Sequence, residues 1–160
     1  MRNSILRLLG ENARISFREI AERLNISENE AVETIGEMEA EGIIKGYKVI
    51  IDEKAVADNI VRAIIQVKVR PEREGGFNNI AKRLSRFPEV SSLYLVSGGY
   101  DLQLEVQGDT LHEVATFVSS KLATIDGVIS TATHFLLKKY KESGRILHDE
   151  DEYERLKITP

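Results

Sequence analysis

Apolar residues recur at helical spacing over residues 1–42 and predict three short helices. The first is expected to end at Gly10. The second follows Ser16 and the third follows Ser27, because each serine is followed three residues later by a glutamate, the pattern of a capping box that satisfies the free N–H groups at a helix start. The residues expected to face inward are Ile5, Leu6, Leu8 and Leu9 in the first helix, Phe17, Ile20, Ala21 and Leu24 in the second, and Ala31, Val32, Ile35 and Met38 in the third.

The second and third helices are separated by a very short turn. Asn25 suits a left-handed conformation there, and Gly42 marks the end of the third helix. Two helices connected this tightly, behind a first packing helix, predict a helix-turn-helix. The stretch "IIKGYKVIID" over residues 43–52 is expected to form a β wing, so the N-terminal part is predicted to be a winged helix-turn-helix.

The period changes to strict alternation at "VRAIIQVKVR", residues 61–70, which predicts a strand. Helical spacing returns over 75–87, two alternating stretches over 89–108 predict an antiparallel hairpin, residues 111–122 predict a second helix, and "VISTATHFLLKKY" over 128–140 predicts a last strand. The order β-α-β-β-α-β is that of a ferredoxin-like sheet. We therefore predict the α+β class, with a winged helix-turn-helix followed by a βαββαβ domain.

These patterns divide the chain into four parts. We expect a helix-turn-helix domain over 1–51, a linker over 52–59, a βαββαβ domain over 60–145 and an acidic tail over 146–160. The sheet of such a domain carries helices on one face only. Alternation leaves Ile64, Tyr94 and Val96 for the other face, where a second copy of the chain is expected to cover them. The sequence thus predicts a homodimer at minimum.

Composition excludes several classes of protein. A net charge of −4 gives no general attraction to nucleic acid, so any such contact must depend on local features. The chain has no cysteine, and its three histidines lack metal-ligand spacing. No apolar run is long enough for a membrane span, no secretory signal opens the chain, and no catalytic constellation emerges. We expect a cytoplasmic protein that is not an enzyme and holds neither a metal nor another cofactor.

Four stretches that together cover nearly the whole chain carry a resemblance to a known family. They are "ILRLLGENARISFREIAERLNIS", "MEAEGIIKGYKVIID", "VSGGYDLQLEV" and "IDGVISTATHFLLKKYK". In this order and spacing they resemble the Lrp/AsnC family, the leucine-responsive regulatory proteins. The resemblance implies a transcription regulator built of dimers, often assembled into tetramers or octamers. It also implies that the C-terminal (RAM-type) effector domains bind amino acids or similar small molecules between subunits.

The third predicted helix departs from that family, whose members commonly carry Arg or Lys on it. From Asn25 to Gly42 there is no Lys or Arg, whereas six glutamates occur. A glutamate can accept a hydrogen bond from cytosine N4, and hydroxyls, cations and helix N-termini contact phosphates; a merely solvated acidic face is the alternative. The candidate DNA contacts are Ser16, Arg18, Ser27, Glu28, Asn29, Glu33, Thr34, Glu37, Lys45 and Lys48.

The stretch "SGGYD" is the tip of the predicted hairpin. Glycine and aspartate are good turn residues in any hairpin, but in the resembled family the equivalent loop lines the effector cleft. Glycine N–H groups are natural donors to a ligand carboxylate, and Asp101 is expected to meet an α-ammonium group. The candidate effector contacts are Ser97, Gly98, Gly99, Tyr100 and Asp101, with Thr131 and Thr133 of the last strand, which are otherwise ordinary strand formers.

Two alternatives stand beside a regulator whose small effector changes the spacing of paired DNA-binding domains. A sensor or assembly protein that no longer reads DNA fits the glutamate-rich helix. An enzyme resembling sirohaem decarboxylases shares the architecture, but "LYLVSGGYDLQL" lacks the His and Arg on which that chemistry looks to rely. The favoured interpretation is the regulator, with double-stranded DNA, an amino-acid effector and copies of itself as partners.

Overall fold

The structure, a computed structural model, describes residues 1–52, 56, 60–73 and 75–147. The chain separates into two compact units, Met1–Ile51 and Asp52–Pro160. The predicted linker at 52–59 and the predicted acidic tail at 146–160 lie largely outside the described residues. Within the described parts of the chain, no helix has the length and apolar character needed to cross a membrane.

The first unit is built from three helices around a small apolar core. Helix α1 spans Arg2–Glu11, α2 spans Phe17–Leu24 and α3 spans Glu28–Ala40. Helix α1 therefore passes the predicted end at Gly10 by one residue, and Asn12 caps it. The core consists of Ile5, Leu8, Ile20, Ala31, Ile35 and Met38. The three predicted helices and the turn between α2 and α3 are all present.

Local hydrogen bonds define where α2 and α3 begin. The Ser27 hydroxyl accepts a hydrogen bond from Glu30 N–H at 3.2 Å, and the Ser27 N–H donates to the Glu30 carboxylate at 2.8 Å, which completes the predicted capping box. At α2 only half of the predicted box forms: Ser16 accepts from Glu19 N–H. The Glu19 carboxylate instead accepts from Arg23 at 2.6 Å, because an arginine one turn later offers a charged donor.

Two left-handed residues shape the turns around α3, as predicted. Asn25 ends α2 at φ 52° and ψ 49°, and Gly42 follows α3 at φ 69°. Helix α3 can therefore start at Glu28, three residues after Asn25, without a clash, since Asn adopts this conformation at low cost.

Three predictions about the first unit are wrong in detail. Phe17, the first residue of α2, was expected to face inward but is exposed. Thr34 is buried, with 5% of its surface exposed, whereas Val32 is 43% exposed. Residues 31, 34, 35 and 38 lie on the side of the helix that packs against the core. Thr34 is therefore buried, and Val32 faces away from the core. The expected β wing forms no strand within residues 43–52, because an extended segment needs a neighbouring strand for its hydrogen bonds.

The second unit has the predicted β-α-β-β-α-β order. It consists of β1 at Val61–Val69, α4 at Asn78–Leu84, β2 at Val90–Leu95, β3 at Leu102–Gly108, α5 at Leu111–Thr116, a π-helical turn at Phe117–Leu122 and β4 at Val128–Phe135. The four strands form one antiparallel sheet in the order β2-β3-β1-β4. A short hairpin of β5 at Lys141–Glu142 and β6 at Arg145–Ile146 follows, which the sequence pattern did not predict.

The core of the second unit lies between one face of the sheet and its helices. Alternate residues of β1 and β3 point into it, among them Ile65 opposite Leu104 and Val67 opposite Leu102. Phe117, the first residue of the π-helical turn, is buried, whereas Leu111 and Ala115 of α5 are exposed. The buried residues are Ala63, Ile65, Val67, Val69, Ile80, Leu84, Leu102, Leu104, Val106, Val114, Phe117, Leu122 and Ile125.

Candidate nucleic-acid interface and effector loop

Helix α3 presents a solvent-facing side opposite the core. Because an α-helix turns once every 3.6 residues, residues at spacings of four, three and four share one side. That side carries Asn29, Glu33, Gly36 and Ala40, all exposed, with Val32 at its edge. At Gly36 no atom lies within 4 Å of the position that a Cβ would occupy. We call this group, Asn29, Val32, Glu33, Gly36 and Ala40, the outer side of α3.

Most acidic residues of α3 lie on its flanks and already have partners. Arg2 of α1 donates to Glu37 at 2.8 Å and to Glu41 at 2.7 Å. The hydrogen bonds to Glu41 and Glu37 raise the pKa of Arg2, and the same contact lowers the pKa of Glu41. One guanidinium therefore pairs with two carboxylates on the flank that faces α1 and offsets half of their charge.

Two further glutamates are held by neighbours. The backbone N–H and hydroxyl of Ser27 keep Glu30 ionised and lower its pKa. On the other flank the Tyr47 hydroxyl donates to Glu39 at 2.8 Å, which raises the pKa of the tyrosine. Among the described residues, Glu33 is therefore the one glutamate on the outer side of α3 for which no partner is found.

The predicted phosphate contacts differ in whether their hydrogen-bond donors are already used within the protein. Arg18 is exposed and pairs with Glu22 at 3.0 Å, a surface contact that costs little to exchange for a phosphate. Ser16 only accepts within α2, so its O–H remains a donor, whereas the Ser27 O–H already donates to Glu30 at 2.8 Å. Lys45 and Lys48 are exposed on the segment after α3.

The structure also corrects the set of predicted contacts. Thr34 is buried against the core of the first unit and has no surface to offer DNA. Val32 and Gly36, which the sequence interpretation passed over, are exposed on the outer side. The sequence signal for them was present, because residues 29, 32, 33 and 36 follow helical spacing, but the apolar character of Val32 favoured an inward assignment.

The predicted effector loop, residues 97–101, joins β2 to β3. Its ends are closed by Val96 N–H, which donates to Asp101 O at 2.9 Å, and Gly98 has a φ of 131° that glycine adopts most readily. Within the described chain, no hydrogen-bond partner is found for the backbone N–H groups of Ser97, Gly98, Gly99 and Tyr100. The loop thus offers a row of backbone donors.

Asp101 ties this loop to the end of β1. Its carboxylate accepts from Lys68 Nζ and from Val69 N–H, both at 3.0 Å, and its own N–H donates to Val67 O at 3.0 Å. The backbone N–H of Val69, then the Lys68 ammonium, lower the pKa of Asp101. The side chain is 15% exposed. The expectation of an open turn residue that meets a ligand ammonium is corrected, because both oxygens serve the fold.

The two predicted threonines lie on β4, at the edge of the sheet. Thr131 pairs with Val67 and Thr133 pairs with Ile65, so both are half-buried and project toward the face that carries the helices. Leu102, next to the loop, pairs with Val67 from the other side. Thr131 is therefore two strand spacings, about 10 Å, from the end of the loop, and Thr133 is farther along the strand.

Comparison with known proteins assigns both units. Residues 62–146 match the family model described as the Lrp/AsnC ligand binding domain, and residues 2–45 match that of a winged helix-turn-helix DNA-binding domain. The chain belongs to the Lrp/AsnC family of transcription regulators. It is an effector-responsive, DNA-binding regulator, and the match to the winged helix-turn-helix confirms the predicted class of domain even though residues 43–52 form no strand here.

Two relatives that match this Lrp/AsnC protein over most of their length are named as transcription regulators. The HTH-type transcriptional regulator YugG of Bacillus subtilis is 43% identical over 157 residues, covering 98% of this chain and 95% of the relative. The regulator LrpA of Pyrococcus horikoshii is 34% identical over 137 residues, covering 86% and 94%. These names favour regulation over catalysis, and none of them is that of a decarboxylase.

A solved structure similar to this chain contains an amino acid. The transcriptional regulator NMB0573 of Neisseria meningitidis, solved as a complex with L-Met, is 26% identical and matches with a TM-score of 0.67, covering 88% of this chain and 90% of the other. In the described part of this Lrp/AsnC chain, no group of three or more His, Asp or Glu residues is arranged to hold a metal.

Proposed function

We propose that this Lrp/AsnC regulator binds operator DNA as a homo-oligomer and responds to an amino acid held by loop 97–101. The observation that carries this proposal is the row of unpartnered N–H groups from Ser97 to Tyr100. Successive backbone N–H groups form concave anion sites, since several weak positive partial charges converge on one ligand oxygen. An α-carboxylate is the part of an amino acid that such a site recognises.

Lys68 supplies the positive charge beside the loop. Its ammonium lies 3.0 Å from Asp101 and is partly exposed, so it can contribute to binding an anion while Asp101 holds it in position. Asp101 then acts as a positioning residue rather than a ligand contact. Thr131, about 10 Å from the end of the loop by strand spacing, is a candidate for the far end of the ligand. The L-Met complex of the Neisseria meningitidis regulator supports an amino acid as the class of effector.

Self-assembly is the second part of the proposal. Large apolar side chains are strongly exposed in the second unit, and Leu137 is 95% exposed. Exposed apolar patches of this kind mark surfaces that other protein chains cover. The predicted open face of the sheet is more polar than expected, because Ile64 lies between Glu105 and His134. The exposed residues that follow β4 are therefore the stronger candidates for the contact between copies, in a dimer that assembles further into tetramers or octamers.

The mechanism follows from thermodynamic linkage between effector binding and self-assembly. An effector that binds one arrangement of subunits better than another shifts the population toward it. The distance between paired helix-turn-helix units then changes, and with it the spacing of DNA half-sites that the assembly can bind together. Affinity for DNA depends on several units engaging at once, because each unit has a net charge of −2 over residues 1–50, with seven Lys or Arg against nine Glu.

Ligand-dependent thermal stability tests the effector. The full chain is heated with each of the common L-amino acids at millimolar concentration, and the best one is compared with its decarboxylated amine. Binding to the folded state raises the melting temperature, with about 2.7 kcal/mol of stabilisation at a hundred times Kd. We expect the amino acid to raise it and the amine to leave it unchanged, because the amine lacks the group that the loop N–H groups bind.

Two results would contradict the proposal. An equal shift with the amine would mean that the carboxylate is not recognised, and the absence of a shift with every amino acid would mean an effector of another class. Selection of bound DNA from a random pool, with and without the amino acid, tests the regulatory half separately. We expect enriched half-sites whose spacing differs between the two conditions.

A further inference from the structure

We propose that the outer side of α3 reads base edges through Asn29, Val32 and Glu33, with preferences for an adenine, a thymine methyl group and a cytosine, respectively. The inference rests on the DNA binding of this regulator and adds which residues determine its specificity. It starts from the observation that α3 is the second helix of the helix-turn-helix, the helix that enters the major groove with its N-terminal residues against the bases.

Position on the helix selects these three residues. Asn29 and Val32 lie in the first turn and a half of α3, and Glu33 follows directly. All three are exposed on the side opposite the core. Gly36 closes this surface one turn later with no side chain, which lets the helix approach the floor of the groove closely. From Asn29 to Gly36 the helix rises about 10 Å, the length of roughly three base pairs.

Chemistry assigns the base preferences. An asparagine amide matches the N6 and N7 atoms of adenine, an exposed apolar side chain contacts the thymine methyl group, and a carboxylate accepts a hydrogen bond from cytosine N4. Val32 is 43% exposed although valine prefers burial, which leaves an apolar contact unused in the free protein. Glu33 has no partner among the described residues, so its carboxylate is available to cytosine.

Glu28, the first residue of α3, is exposed and also has no partner among the described residues, but it lies off the outer side of the helix. Two other glutamates of α3 are already engaged. Glu37 is bonded to Arg2, and Glu30 is bonded to Ser27 at the start of the helix. Each would have to break existing hydrogen bonds before it could contact a base. The glutamate-rich sequence therefore reduces to one unpartnered carboxylate, that of Glu33, on the side that faces DNA. This is how an acidic helix can approach a polyanion.

The test compares bound sequences selected from a random DNA pool by the full-length protein and by three variants, Val32→Ala, Glu33→Gln and Glu37→Gln. All three positions are exposed, so the variants are expected to fold, which circular dichroism and melting temperature check. The wild type should enrich half-sites of about three base pairs that contain cytosine, thymine and adenine. Glu33→Gln should lose the cytosine preference by roughly 5- to 150-fold, the usual range for a lost base contact. Glu37→Gln is the matched control and should keep it.

Replacing the selected thymine by deoxyuridine tests Val32 directly, because only the methyl group is removed. Affinity should fall for the wild type and stay unchanged for Val32→Ala. If the wild type enriches a sequence and both Val32→Ala and Glu33→Gln keep its base preferences, the assignment of these residues is wrong while DNA binding stands. If the wild type enriches no sequence at all, sequence-specific binding itself fails, and the readout with it.

Discussion

Asp101 accepts a hydrogen bond from the backbone N–H of Val69 at 3.0 Å, which joins the last residue of the effector loop to the last residue of β1. The two residues are 32 positions apart in the chain. A second hydrogen bond, from Asp101 N–H to Val67 O, holds the backbone of Asp101 against β1. Together the two bonds fix the end of the loop. A change at Asp101 therefore acts on the fold and on the loop together.

The first prediction concerns the charge of Asp101. Asp101→Asn keeps the shape but loses the ion pair with Lys68, so the urea midpoint at pH 7 should fall. The folded pKa of Asp101 lies below its ordinary value of 3.8. Its stabilising contribution is thus complete above that value and is lost as the pH falls through the lower folded pKa.

The difference in urea midpoint between wild type and Asp101→Asn should therefore narrow when the comparison is repeated at a pH below 3.8. Asp109→Asn is the control, since Asp109 is an exposed residue of another loop in the same unit. Equal midpoints for Asp101→Asn and Asp109→Asn at pH 7 would contradict the role assigned to the carboxylate.

The second prediction compares two adjacent glycines. Gly98→Ala places a side chain at φ 131°, which should cost about 1–3 kcal/mol of unfolding free energy. It should also weaken the response to the amino acid, because the loop N–H groups change direction. Gly99→Ala meets no atom within 4 Å and has no such φ, so it should be near neutral. Thermal melts with and without ligand measure both, and a larger loss for Gly99→Ala would count against this loop geometry.

The third prediction separates stability from DNA contact at the two helix caps. Ser27→Ala removes the capping box and should lower the unfolding free energy by about 1 kcal/mol, more than Ser16→Ala, which removes a single acceptor. Ser16→Ala should instead lower DNA affinity more, because only its hydroxyl has a hydrogen to donate to phosphate. Denaturant titration and DNA-binding titration of both variants check this. The opposite order in both measurements would refute it.

The fourth prediction concerns assembly. Leu137→Glu puts a charge on a side chain that is 95% exposed in the single chain, so monomer folding should be unaffected. If copies associate over this surface, sedimentation at micromolar concentration should show smaller species than the wild type. Leu111→Glu is the control, because Leu111 is also exposed in the same unit but lies at the start of α5. A wild-type chain that sediments as a monomer would refute the predicted homodimer.

Local patterns in the sequence were sufficient for the three helices of the first unit and for the β-α-β-β-α-β order of the second, but not for the β5–β6 hairpin. Period-two alternation determined β1, because residues that alternate in polarity fit a half-buried strand. The strand spans Val61–Val69, one residue shorter than the predicted 61–70. The start of α3 was equally determined, since Ser27 and Glu30 make their hydrogen bonds within one turn. Such signals depend on neighbours three or four residues away and so can be read along the chain.

The side of α3 that faces outward was decided by tertiary packing. Helical spacing allows either residue 32 or residue 34 to complete the buried stripe formed by residues 31, 35 and 38. Hydrophobicity favours Val32, but the positions of α1 and α2 cover the side that holds Thr34. The sequence alone therefore does not determine which of the two residues the neighbouring helices bury.

The roles of charged residues depended on contacts between distant positions. Arg2 meets Glu37 and Glu41 only because α1 packs against α3, and Asp101 meets Val69 only because β3 pairs with β1. Sequence alone determined that α3 is acidic and that 97–101 is a turn. Which carboxylates of α3 are already engaged was decided by the fold, because hydrogen bonds form between groups that the chain brings within about 3 Å.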